Sequence, residues 1–263
     1  PILLYWGAVW CPPCNELKQQ VFSQARFKEL AKSFLPVFID GDSENAQAYA
    51  ERFQVKGYPT VVLLDANANE LTRISGNLTM DEFEQMLRSF LASGASLKDL
   101  VSKATKGQLS DAEWAQLSYV SWDQLHLSDW SPAQKLEIQK DLADQAPDRL
   151  PAVKASLTAA LLASAARMHD STDSQVKTPL AQIQVQFPDY LKKLQRDGST
   201  MIAARSFYLY SLQSVLDWNF QGRASSPVFQ EFKRDWLAAV RTIRAQKSLS
   251  LDTRLWTYYP ELQ

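Results

Sequence analysis

The stretch Trp6-Gly7-Ala8-Val9-Trp10-Cys11-Pro12-Pro13-Cys14 holds both cysteines of the chain, with two prolines wedged between them. Just before it, Ile2, Leu3, Leu4, Tyr5 and Trp6 form an apolar run that predicts a buried strand. Just after it, residues 15–22 carry Leu17 and Val21 at helical spacing. The cysteines therefore sit at a strand-to-helix junction. Cys11 falls at the N-cap, and Pro12 takes the first helical position, where its missing N–H would have had no intrahelical partner. Pro12 also pushes Cys11 toward the extended backbone that an N-cap requires.

This placement carries chemistry. The nucleophile of thiol-disulfide exchange is a thiolate, and the positive end of a helix lowers a thiol pKa. Cys11 is expected to be the more exposed, attacking sulfur; Cys14, one turn in, is placed to attack the mixed disulfide that Cys11 forms. Other readings compete. A structural zinc site wants four ligands, and besides the cysteines only His126 and His169 are on offer, far downstream and without ligand spacing, so no metal is expected. Two inert buried cysteines are common in general but fit this junction poorly. A redox-capable fold kept for binding alone stays open.

Composition narrows the partners. A chain of 263 residues with 46% hydrophobic residues can bury a sizeable core, in one or two domains. Its formal net charge of -1, from 28 basic and 29 acidic residues without long runs of either, gives no footprint for nucleic acid or an anionic membrane. No apolar run approaches the roughly 20 residues of a spanning helix. Pro1 leads straight into an apolar strand, so a signal peptide would lie upstream.

Past the dithiol, residues 36–40 (Pro36 to Asp40) read as a second strand and 43–53 as a helix. Then come Gly57, Tyr58, Pro59 and a strand over 60–64, a hairpin around residues 65–69, a returning strand at 71–74, and a helix opened by a capping box from Thr79 to Glu82. With its WCxxC site and this order of elements, the segment resembles the thioredoxin superfamily of thiol-disulfide oxidoreductases over about the first 93 residues. The resemblance implies an α/β thioredoxin-like fold with a central mixed sheet flanked by helices. It also implies a cis Tyr58-Pro59 bond facing the cysteines, and a substrate groove at Trp10, Gly57, Tyr58 and Pro59. The insert over residues 21–27 is similar to that of secreted bacterial members, which implies a bacterial envelope location, periplasmic or secreted.

Two departures from that family bear on mechanism. Its buried aspartate six residues before the first cysteine is replaced by Tyr5, and the lysine that partners it aligns with Phe38. The proton acceptor for Cys14 then has to be water or a nearby carboxylate such as Glu16, which is otherwise a solvated acid near a helix start. The two prolines also remove amide donors, leaving chiefly Cys14 to stabilise the Cys11 thiolate; moderate stabilisation argues for a reductant or isomerase over a strong oxidant.

From about residue 95 strand signals vanish and helix starts recur. Ser110 with Glu113 and Ser131 with Gln134 fit capping boxes, and Ser226-Pro227 marks another start. Helices are expected over 150–168, 180–194, 201–220 and 228–246, in an all-α domain of residues 95–263 arranged as helical hairpins, following a thioredoxin-like domain of residues 1–94. Trp114, Trp122, Phe207, Tyr208 and Trp236 read as core rather than ligand contacts. The aromatic ending at 255–263 is expected to pack back or to continue beyond Gln263.

The reading is a thiol-disulfide oxidoreductase, reductant or isomerase, acting on protein thiols and disulfides through Cys11 and Cys14. It needs no cofactor beyond the redox-active Cys11–Cys14 disulfide, and it requires an upstream electron donor. The competing reading is a protein-binding or assembly module in the helical half, with the first domain as spacer or redox sensor.

Overall fold

The computed structural model describes residues 1–68, 70–75, 78–122, 130–194, 197–204, 211–220 and 226–246. His126, Phe207, Tyr208 and the ending at 255–263 lie outside the described residues.

The chain divides into two compact units, Pro1–Leu127 and Ser128–Gln263. The first is built on a four-stranded mixed sheet in the order β2-β1-β3-β4, with β1 at Ile2–Gly7, β2 at Leu35–Asp40, β3 at Thr60–Leu64 and β4 at Glu70–Ser75. β1 runs parallel to β2 and antiparallel to β3, and β3 is antiparallel to β4. The period-two alternation of side chains gives β1 and β3 two buried faces. Leu3, Tyr5, Val61 and Leu63 join a core with Leu17, Val21, Phe83, Leu87 and Phe90, while Leu4, Trp6, Val62 and Leu64 join another against Phe53, Val55 and Tyr58.

After the cysteine loop, α1 (Pro12–Leu17) passes directly into a π-helical turn at Lys18–Phe22, closed by the Ser23 N–H donating to the Lys18 carbonyl at 2.9 Å. Next come α2 (Ala25–Ala31) and α3 (Ala46–Arg52); α3 begins later than expected because residues 43–45 are taken up in a turn. Thr79 caps α4 (Met80–Ser93) with the reciprocal Thr79–Glu82 box, and Gly94 ends it at a φ of 60°, the left-handed conformation glycine adopts without penalty.

The change of sequence character at residue 95 does not coincide with the edge of this unit. Two further helices, α5 (Leu97–Ala104) and α6 (Asp111–Ser118), belong to it, each opened by a complete capping box. α6 packs on α4, the Gln116 side chain donates to the Ala95 carbonyl, and the Ser121 N–H donates to the Arg73 carbonyl. Trp114 and Trp122 are buried here.

Among the described residues of the second unit the regular elements are all helices: α7 (Pro132–Gln145), α8 (Pro151–Met168), α9 (Ser174–Leu194), α10 (Gly198–Ala203), α11 (Leu212–Phe220) and α12 (Pro227–Ala245). Ser131 forms the box with Gln134. α9 starts earlier than its sequence suggests, because Pro179 and Pro188 lie inside it. Of the single helix expected over 201–220, the described residues form α10, which ends at Ala203, and α11 over Leu212–Phe220. Trp236 stacks on Phe232, with ring centroids 6.2 Å apart. Among the described residues no helix is long and apolar enough to cross a membrane.

Candidate functional site: a dithiol at a helix start

Cys11 is the N-cap of α1, with extended backbone (φ -86°, ψ 107°), and prolines fill the first two helical positions. Pro12 and Pro13 have no N–H to offer, so the first amide able to cap is that of Cys14. It donates to Cys11 Sγ at 3.2 Å. The two sulfurs form a disulfide, with Cα atoms 5.2 Å apart. Both are enclosed: Cys11 is 3% exposed and Cys14 is 0% exposed, so Cys11 is the outer sulfur by a small margin only. With Ala8 they form their own apolar cluster, against which Tyr58 packs. The loop before them is fastened by the Asn15 amide, which donates to the Val9 carbonyl at 2.9 Å.

Beside the disulfide lies an open depression of about 440 Å³ lined by Trp10, Cys11, Pro12, Pro13, Val55, Lys56, Gly57 and Tyr58. The Tyr58-Pro59 peptide bond is cis. Pro59 itself is buried and does not line the depression, whereas Trp10, Gly57 and Tyr58 do. Trp10 is 66% exposed, yet its indole is held: Nε1 donates to both carboxylate oxygens of Asp42, at 3.0 and 2.9 Å. Its ring centroid is 6.1 Å from that of Tyr58. Tyr58 in turn lies over Gly41, where an added Cβ would come within 2.4 Å of the Tyr58 hydroxyl.

Tyr5 does not belong to the cysteine cluster. It is buried in the core between the sheet and α4, stacked on Phe38 at 5.3 Å and edge-on to Phe22 at 5.0 Å. Phe38 is half exposed, with the Lys18 ammonium 4.9 Å from its ring centre. Burial pushes the Tyr5 hydroxyl up to about 12, so it stays protonated throughout the working pH range. Glu16 is exposed and accepts from the Gln20 amide at 3.1 Å, the setting of a solvated acid. His169 is engaged with the Ala166 carbonyl and with Asp170.

The family model described as a thioredoxin-like domain matches residues 1–91. Those residues are a thioredoxin-like domain. The segment is 29% identical over 93 residues to a thiol:disulfide interchange protein DsbD of Yersinia pestis, covering 34% of this chain and 16% of the relative. It is 30% identical over 88 residues to the DsbD of Haemophilus influenzae, covering 32% and 15%. The chain therefore spans about one sixth of the length of the curated relatives it matches. A solution structure of a thioredoxin from Thermus thermophilus aligns with a TM-score of 0.33 and 28% identity, over 35% of this chain and 75% of that one.

Three features of the thioredoxin-like site were not read from the sequence. Asp42 and Gly41 sit in a turn whose contacts to Trp10 and Tyr58 are long-range, and Arg73 reaches the Phe53 and Gln54 carbonyls just ahead of the groove loop. Only the third had a local signal: a charged residue in the apolar alternation of a strand.

Proposed function

We propose that this domain is a thiol-disulfide oxidoreductase working as a reductant or isomerase on protein disulfides. The observation that carries the reading is the Cys11–Cys14 pair itself, capping a helix start at the edge of the depression lined by Trp10, Gly57 and Tyr58. In the reduced protein the Cys11 thiolate attacks one sulfur of a substrate disulfide. That S–S bond breaks, a mixed disulfide forms, and the second substrate sulfur leaves as a thiolate that takes up a proton. Cys14, deprotonated, then attacks Cys11 Sγ, releases the first substrate sulfur and leaves the Cys11–Cys14 disulfide. Two electrons have passed to the substrate, and a protein donor upstream must return them. In isomerisation another substrate thiol attacks the mixed disulfide before Cys14 does.

No bound cofactor is needed for this cycle. Water carries the Cys14 proton, with Glu16 as the nearest candidate carboxylate in sequence; Tyr5 cannot serve, being a buried phenol with a raised pKa. The extended substrate lies along Gly57 and Tyr58, ahead of the buried Pro59, with Trp10 beside it. The compartment we propose is the bacterial envelope, periplasmic or secreted, supported by the likeness to the DsbD proteins of Yersinia pestis and Haemophilus influenzae.

The test is trapping with Cys14→Ser in a native extract, alongside insulin reduction by the unaltered protein. The expected result is a set of mixed disulfides dissolved by dithiothreitol and absent from Cys11→Ser. Failure to reduce insulin, together with no trapped species, would refute the reading.

A further inference from the structure

The wall of the depression formed by residues 55–58 has no strand partners of its own, yet one buried side chain holds it within and another holds the chain that leads into it. At its far end the Thr60 hydroxyl, fully buried in β3, donates to the Gly57 carbonyl at 2.7 Å. At its near end stands Arg73, paired with Val62 in the β3–β4 register and only 1% exposed. Its guanidinium holds Glu70 in a two-point contact, Nε at 2.9 Å and Nη2 at 2.8 Å. Two more of its donors go to main-chain carbonyls: Nη1 to Gln54 at 3.2 Å, and Nη2 to Phe53. Those carbonyls lie just past α3, at its C-cap Phe53 and the residue after it, where the chain leaves the helix and its carbonyls need partners outside it. There Gln54 takes a φ of 48°, and the Val55 N–H turns back to the Ala50 carbonyl at 2.8 Å. The next four residues are the groove wall.

Burying the Arg73 charge against a partly exposed Glu70 is a poor way to gain stability, since apolar residues of similar volume often serve as well; what it supplies is one defined geometry. Here that geometry is fixed where the chain leaves α3 and becomes the surface facing the disulfide. We propose that Arg73 is a positioning residue for substrate binding: held by Glu70, it sets the path of residues 55–58 and so the affinity for an extended polypeptide beside Cys11. It acts through the loop and does not touch the sulfurs. This inference rests on the proposed oxidoreductase function and deepens it.

The test compares Arg73→Lys, which keeps the charge but cannot hold Glu70 and two carbonyls together, with Thr60→Val, which removes the pin at the far end. Each variant is assayed on insulin and on a small disulfide, 5,5′-dithiobis(2-nitrobenzoate), which needs no groove. The expected result is a KM for insulin raised about tenfold, the scale of one charge-assisted hydrogen bond, with kcat and the small-disulfide rate within about twofold. Amide exchange at Lys56, Gly57 and Tyr58 should quicken in both variants while that of β1 is unchanged. An unchanged insulin KM, or equal losses on both substrates, would overturn the role of Arg73. If the unaltered protein reduces neither disulfide, the parent function fails instead; in that event unaltered exchange in the loop still rejects the inference, and loop-confined quickening still supports the positioning.

Discussion

The Trp10 indole is tied to the Asp42 carboxylate by bonds to both of its oxygens, although Trp10 is among the most exposed large side chains of the described residues. An exposed tryptophan left to itself samples several rotamers, and ordering it on binding opposes affinity by about 0.5–1.5 kcal/mol. Asp42 meets part of that cost beforehand. Asp42→Ala should therefore weaken insulin binding by roughly three- to tenfold while leaving the alkylation rate of Cys11 unaltered. Time-resolved anisotropy with Trp10 as the reporting tryptophan checks the cause: its fast component should grow in the variant.

Gly41 is a glycine because Tyr58 occupies the space of its side chain: an ideal Cβ would lie 2.5 Å from Tyr58 Cζ and 2.6 Å from Cε2. Gly41→Ala should push the ring out of its seat and lower stability by about 1–3 kcal/mol. The two positions should also couple, so that the same substitution costs much less in a Tyr58→Ala background. Equal penalties in both backgrounds, read from urea unfolding, would dissociate Gly41 from the ring.

Cys11 Sγ receives an N–H from Cys14, and Pro12 and Pro13 have none to add. With Tyr5, a buried phenol, at the position where the resemblance implies an aspartate, the reduced form gains little special stabilisation. Equilibration with glutathione should give a potential nearer the roughly -270 mV of thioredoxin than the -120 mV of a strong oxidant. In the reduced protein iodoacetamide should label Cys11 before Cys14. A potential above about -150 mV would require a thiolate-stabilising group elsewhere.

Acid should loosen the α5–α6 hairpin before the sheet. Burial alone would raise the Glu113 carboxyl, but the Lys103 ammonium and the Ser110 backbone and hydroxyl outweigh it, and the group sits below the usual carboxylate range. Its folded pKa is depressed, so its contribution is fully present above the unfolded value of about 4.3 and is lost as pH falls through the folded value. Glu113→Gln should flatten the pH dependence of stability in that acid window, measured by chemical denaturation between about pH 2 and 5.

What could be read from the sequence was mostly short-range. The N-cap at Cys11 and the boxes at Thr79, Ser110 and Ser131 depend on residues three or four apart, so their signals survive without knowledge of the fold. The box at Ser96 with Asp99 has the same grammar with the shorter acid, and α5 went unread. The start of α9 was misplaced because a proline five residues into a helix looks like a beginning. The first compact unit runs beyond residue 94 because α5 and α6, helical by their sequences, bury Leu97, Leu100, Trp114 and Leu117 within a unit built on a sheet. Asp42 and Gly41 act across the fold, and spacing along the chain carries no trace of their contacts; Arg73 shows locally only as a charge within β4.

The π turn at Lys18–Phe22 works as a phase shifter. Each residue of a regular helix advances the side-chain direction by about 100°, so a face that starts at Cys14 and Leu17 would return at Val21 and turn Phe22 away. Widening one turn absorbs a residue and rotates the downstream side chains, so that Phe22 reaches Tyr5 at 5.0 Å, Phe27 at 4.7 Å and Phe83 at 5.8 Å. The register upstream, at the two sulfurs, is untouched. The helix is thereby divided into a redox segment and an anchoring segment: a one-residue deletion within 18–22 would close the wide turn to a regular one and keep both the cysteines and the anchor in place, and only a second deletion would re-aim the anchor.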